Sequence, residues 1–172
     1  RQHTRRNFLA AVGVGAGALS ARAFGVRACA AGTTAAAKAK VPFELGLASY
    51  TTRKYSLDET IAMTRRLGLE HLCLKSFHLP LDASAEACAE AARKCRDAGI
   101  DLYGCGVVSM KEAAQVDQAF EYAKAAGMRV IVGVPYPDVL PLVDKKVKQH
   151  DIAVAIHNHG PGDKVYPTPT SA

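Results

Sequence analysis

From Phe43 onward, short apolar runs alternate with longer stretches in which apolar residues recur every three or four positions, the signature of strands alternating with amphipathic helices. Phe43 to Ser49 reads as the first strand. Ser56-Leu57-Asp58-Glu59 then opens a helix, with Ser at the cap and Glu three residues on forming a capping box. Gly68 closes that helix, since glycine takes the left-handed turn without steric cost. Leu69 to Lys75 is the second strand and Ala83 to Ala98 the second helix, closed by Gly99. Ile100 to Val108 is the third strand, after which Ser109-Met110-Lys111-Glu112 repeats the capping-box signal. The helix that follows carries Val116, Ala119, Phe120 and Ala123 on one face and closes at Gly127. Met128 to Val134 is a nearly continuous apolar strand, as expected where both faces are covered. A fourth helix spans Asp138 to Gln149, with Pro141 tolerated in its first turn. Ile152 to Ile156 is the fifth strand, and Thr168 with Pro169 has the form of a further helix start.

The closing glycines 68, 99 and 127 are 31 and 28 residues apart, about one β-α unit of an eightfold barrel. Strict alternation argues a parallel sheet with right-handed crossovers, either doubly wound or barrel-like. No strand is followed by G-x-G-x-x-G; Gly104-Cys105-Gly106 lies inside a strand and lacks the third glycine, so a dinucleotide site is unsupported. The expected class is α/β, a parallel (β/α)8 TIM barrel cut to five strands and four helices. Residues 41–172 number 132, against the roughly 200–250 that a complete barrel requires.

Residues 1–40 are of another kind. They hold 13 Ala, 5 Gly, five Arg and two Lys with no acid, a net of +7. Residues 41–172 carry 15 basic and 16 acidic side chains, a net of −1, so the basic surplus belongs to the N-terminal segment. A near-neutral fold offers no field for phosphate backbones, which excludes a nucleic-acid partner. No apolar run reaches the roughly 18 residues of a membrane span. Arg5-Arg6-Asn7-Phe8-Leu9, a mildly apolar stretch from Ala10 to Leu19, and small residues at Ala21-Arg22-Ala23 or Ala28-Cys29-Ala30 resemble a twin-arginine (Tat) export signal. That resemblance implies the Tat machinery as a partner and a periplasmic or extracellular destination. Residues 1–40 are thus expected to be signal and linker, and 41–172 the N-terminal part of the barrel.

Cys88 and Cys95 lie seven apart on one helix, about 10 Å, too far to bridge. Cys73 and Cys105 fall inside apolar strands, and no C-x-x-C pair exists. Buried, reduced thiols are expected.

Barrel active sites lie at the carboxyl ends of the strands. That rule selects Ser49, Lys75, His78, Tyr136 and the group His157-Asn158-His159. His157 and His159 are two apart on an extended segment, which points both to one side, where neutral imidazoles can share a divalent ion. Lys75 could hold a substrate oxyanion, His78 and Ser49 contact substrate, and Tyr136 form an aromatic wall for a sugar ring. Arg53-Lys54 reads as a solvated pair, and Glu44 in the first strand as a buried carboxylate that would need a cation partner.

Leu47-Ala48-Ser49-Tyr50-Thr51, Leu74-Lys75-Ser76-Phe77-His78-Leu79-Pro80 and Ala155-Ile156-His157-Asn158-His159-Gly160-Pro161 carry a likeness. Through them the run Phe43–Ala172 resembles the sugar phosphate isomerase/epimerase group of the xylose isomerase-like TIM barrels, a superfamily that includes endonuclease IV. Many members have Glu-Asn-His-Gly where this chain has His157, which keeps a ligand but removes a carboxylate base. The resemblance implies a carbohydrate isomerase or epimerase with a divalent ion (Mn, Mg, Zn or Co) that transfers a proton next to a sugar carbonyl. His157 and His159 would be metal ligands, with His157 or Lys75 catalytic and the fragment alone inactive. The alternatives are a 3-keto-glycoside lyase using the same chemistry and a non-catalytic periplasmic sugar-binding barrel. A DNA-repair role is opposed by the charge and by the export signal.

Overall fold

The computed structural model describes residues 43–172. The export-signal reading of residues 1–40, Cys29 included, lies outside them. Five strands alternate with four helices: β1 Gly46–Ala48, α1 Leu57–Arg66, β2 His71–Leu74, α2 Ala85–Asp97, β3 Asp101–Met110, α3 Ala113–Ala125, β4 Val130–Pro135, α4 Leu140–His150 and β5 Ala153–Ile156. Every neighbouring pair is parallel and the spatial order is β1-β2-β3-β4-β5. A doubly wound sheet reverses its strand order at a switch point. Here order in space equals order in the chain, so the arrangement is that of part of a (β/α)8 barrel and the doubly wound alternative is out.

Local chemistry sets most element ends. At α1 the Ser56 hydroxyl accepts the Glu59 N–H at 3.2 Å, and the Glu59 carboxylate accepts the Ser56 N–H at 2.7 Å. Ser84 caps α2 through the Ala87 N–H. Gly68, Gly99 and Gly127 take φ of 71°, 69° and 64° after α1, α2 and α3. The second capping box does not form. Ser109 and Met110 instead prolong β3, paired with Val134 and Pro135 of β4. The α3 cap is Glu112 with no side-chain bond, and Gln115 Oε1 accepts the Lys111 N–H at 2.7 Å. Ladder bonds to β4 outweigh one local side-chain bond. The first strand is shorter than its apolar run suggests, three residues, with Phe43 and Leu45 exposed before it. The further helix start is a single 3-10 turn, Pro169–Ser171, capped by Thr168.

The core lies between the sheet and the helices, where Leu72, Leu74, Cys105 and Ile131 meet Val116 and Phe120, all within about 1% of full burial. Cys73, Cys88, Cys95 and Cys105 are free and buried. Burial pushes Cys95 up to about 11 and Cys105 up to about 12, so both stay protonated and unreactive near neutrality. The Gly-Cys-Gly run has a packing cause: a Cβ on Gly104 would stand 2.7 Å from the Val130 carbonyl oxygen, and one on Gly106 would strike that of Val132. Among the described residues no helix is long and apolar enough to cross a membrane.

Candidate functional site

The carboxyl-end rim gathers the side chains that the barrel rule selects, but it uses them differently. Ser49 follows β1 and is fully buried. Its hydroxyl accepts the Lys75 N–H at 2.8 Å and lies 3.0 Å from His78 Nδ1. His78 Nε2 faces the carbonyls of Tyr55 at 3.1 Å and Thr52 at 3.3 Å, with Thr60 Oγ1 at 3.1 Å. Carbonyls only accept, so Nε2 carries a proton, and a neutral His78 receives the Ser49 hydroxyl proton at Nδ1. Both nitrogens are spent inside the protein. Ser49 and His78 therefore pin the ends of β1 and β2 and the start of α1 together, and neither presents a polar atom for a ligand.

Lys75 gains its place from that framework. Its Nζ stands 5.8 Å from the Tyr50 ring centroid, and Arg53 covers the same ring at 4.6 Å. Tyr50 and Phe77 are exposed, with centroids 5.8 Å apart, and form an aromatic lip beside Lys75. Tyr136 follows β4; its N–H donates to the Met110 carbonyl at 2.8 Å, and Lys111 Nζ lies 5.5 Å from its ring. Its ring packs on the core edge.

Beyond β5 the chain stays extended. The His157 N–H donates to the Gly133 carbonyl at 2.8 Å, one rung past the strand. The His157 and His159 rings stand edge to face, with centroids 4.6 Å apart and planes at 85°. Partial burial, aided by the nearby charges of His159 and Lys75, holds His157 below the ordinary imidazole value. That shift favours the neutral ring, which keeps a lone pair. His159 Nδ1 lies 2.9 Å from Asp163 Oδ2. Among the described residues no group of three His, Cys, Asp or Glu is arranged to hold a metal ion. Two imidazoles are of a donor type that divalent ions take, and no third such group joins them among the described residues.

Asp163 is absent from the barrel-rule selection, because an aspartate after Gly160-Pro161-Gly162 has the look of an ordinary turn residue. Its spacing of four from His159 across that turn is the one signal that could have found it. Away from the rim, a cleft of about 640 Å³ opens between α2, α3 and the loop that joins β2 to α2, near Cys88, Gln118 and Tyr122. It gathers no nucleophile–base pair. At the amino-end rim a recess of about 180 Å³ is lined by Glu44, Gly46, His71, Tyr103 and Arg129. Glu44 is not the buried strand carboxylate expected: it precedes β1 and its side chain is 81% exposed, with His71 Nε2 at 3.1 Å, while His71 Nδ1 is 3.0 Å from Asp101. Arg129 closes on the same aspartate at 2.8 and 2.5 Å.

No family model and no curated protein matches the chain. Solved structures do. An uncharacterised protein from Parabacteroides distasonis ATCC 8503 is 26% identical with a TM-score of 0.63, over 68% of this chain and 53% of that one. A xylose isomerase domain containing protein from Salmonella typhimurium LT2 is 13% identical with a TM-score of 0.52, over 71% of this chain and 51% of that one. The likeness is one of fold, and the class that the fold defines is part of a parallel (β/α)8 barrel. The chain spans about half the length of these two solved structures.

Proposed function

We propose that the protein is an exported carbohydrate isomerase or epimerase of the sugar phosphate isomerase/epimerase kind, dependent on a divalent ion and acting by proton transfer next to a sugar carbonyl. The observation that carries the reading is the imidazole pair at the carboxyl-end rim, edge to face at 4.6 Å. His157, unprotonated, would serve as ligand or take the α-proton. His159 would be the second protein ligand. A bound divalent ion supplies Lewis-acid stabilisation for negative charge building on adjacent sugar oxygens. The Lys75 ammonium would balance that charge from the other side, while Tyr136 flanks the ring. Ser49 and His78 would enter as the framework that aims Lys75. The paired arginines Arg5-Arg6 and the apolar stretch behind them support export by the Tat route to the periplasm or beyond.

The same α-proton chemistry would serve β-elimination from a 3-keto-glycoside, told apart by release of the aglycone. A non-catalytic sugar-binding barrel is the second reading. It is favoured by the absence, among the described residues, of a third metal-type ligand beside the two imidazoles, and by Asp163 being bonded to Val165, Tyr166 and His159 rather than free to act as base. Exchange of a sugar α-proton with solvent deuterium in the presence of Mn²⁺ tests the proposal. Exchange that requires the ion supports it, and sugar uptake with neither exchange nor an ion requirement leaves the binding barrel.

A further inference from the structure

We infer that Asp163 is a positioning residue that fixes His159 in the Nδ1–H tautomer and presents its Nε2 lone pair at the rim. The inference rests on the reading of His159 as a ligand. It begins with how fully the carboxylate is used. Asp163 Oδ1 accepts two backbone N–H groups, from Val165 at 2.8 Å and from Tyr166 at 2.7 Å. Its own N–H donates to the Gly160 carbonyl at 2.9 Å, which closes the Gly160-Pro161-Gly162 turn. Oδ2 is left for His159 Nδ1 at 2.9 Å.

The loop that holds this carboxylate is itself clipped down. The His159 N–H donates to the Tyr166 carbonyl at 3.0 Å. The buried Tyr166 hydroxyl donates to the Pro135 carbonyl, at the end of β4, at 2.6 Å. Asp163 therefore cannot swing toward the rim as a ligand without giving up three accepted bonds. What it can do is act through the imidazole. A carboxylate only accepts, so Nδ1 must carry the hydrogen, and in the neutral ring the lone pair is then on Nε2. A ligating histidine whose other nitrogen donates to a carboxylate is oriented and made more basic in this way, and losing the partner typically costs about 10–100-fold in metal affinity.

Asp163→Asn is the informative change. An asparagine oxygen can keep the Val165 and Tyr166 N–H bonds, while its NH₂ would face His159 Nδ1 and demand a lone pair there. The tautomer should reverse with the turn intact. Nitrogen-15 NMR of the metal-free protein, above the imidazole titration range, reads this directly. The wild type should show a protonated Nδ1 and a bare Nε2 on His159, and Asp163→Asn the opposite. Co²⁺ added alone, followed by the same spectra, should bind the variant about 10–100-fold more weakly. Tyr166→Phe loosens the loop without touching the carboxylate–imidazole bond and should keep the wild-type tautomer. A wild-type His159 protonated at Nε2, or a Tyr166→Phe spectrum that copies Asp163→Asn, would overturn the inference. A correct tautomer in a protein that takes up no Co²⁺ would instead sink the metal reading and leave the positioning role standing.

Discussion

The two rims of one sheet spend histidines in opposite ways. At the amino-end rim His71 lies between Glu44 and Asp101, with a carboxylate on each nitrogen, and Arg129 pairs with the same Asp101. At the carboxyl-end rim His157 has no side-chain hydrogen bond among the described residues, and His159 has one, to Asp163. His78 stands near that same rim yet belongs in kind with His71, since both of its nitrogens are engaged. Position along the strand therefore does not by itself make a histidine chemical. The count of uncommitted nitrogens does: among the described residues at these two rims, the pair after β5 keeps nitrogens that could act on a ligand, whereas the unpartnered Nε2 of His150 is buried on α4.

The largest expected effect breaks the comparison if it is wrong. His157→Ala should reduce Mn²⁺-dependent exchange of a sugar α-proton by about 10²–10⁴-fold, the usual weight of a positioned acid–base group. His71→Ala should leave that exchange at the wild-type rate. Solvent-deuterium exchange followed by mass spectrometry checks both, and equal losses in the two variants would erase the difference between the rims.

His78→Ala should act on stability first. It strips a partner from the buried Ser49 and Thr60 hydroxyls and from two loop carbonyls, and unpaired buried polar groups cost about 1–3 kcal/mol each before water relieves them. A net loss of about 2 kcal/mol by urea unfolding is expected, with the exchange reaction weakened through the displaced Lys75. A loss of stability no larger than that of His71→Ala would show that the Ser49–His78 network is not the strut described here.

Much of the fold is legible in the sequence, because alternation, capping at Ser56 and the glycines at 68, 99 and 127 are local rules obeyed locally. The failures share a cause. Ser109 satisfies a capping-box pattern, yet its backbone pairs with β4, a partner 25 residues away that no local rule weighs. At the site, the strand-end rule selects residues by their place after a strand, His157 and His159 together among them, but it is blind to what each then bonds. Ser49 and His78 read as substrate contacts because their types suit the task, and only the loop carbonyls of Thr52 and Tyr55 reveal that they are consumed. Asp163 escapes for the converse reason: its role is set by two backbone amides and an imidazole that meet it only once the turn has closed.

The smallest effect separates the rims by pH. Hydrogen bonds from Arg129, and then from His71, hold the Asp101 carboxyl down to about 2, against an ordinary value of 3.8. The unfolded chain binds that proton more readily, so the stabilisation is complete above about pH 4 and disappears as pH falls through about 2. With 35% of the side chain exposed, solvent screening limits the contribution to about 1 kcal/mol. Asp101→Asn should therefore be less stable than wild type at neutral pH by no more than that, and the gap should close on acidification and shrink in high salt. His157, also lowered, has the same sign in a different window: its contribution is complete above the ordinary imidazole range and fades as pH drops below it. In urea midpoints measured across pH, the differences of Asp101→Asn and His157→Ala from wild type should thus change in separate intervals. A single shared interval would mean that the two rims are electrostatically one system, and that the closed network at the amino end does not insulate the open pair at the other.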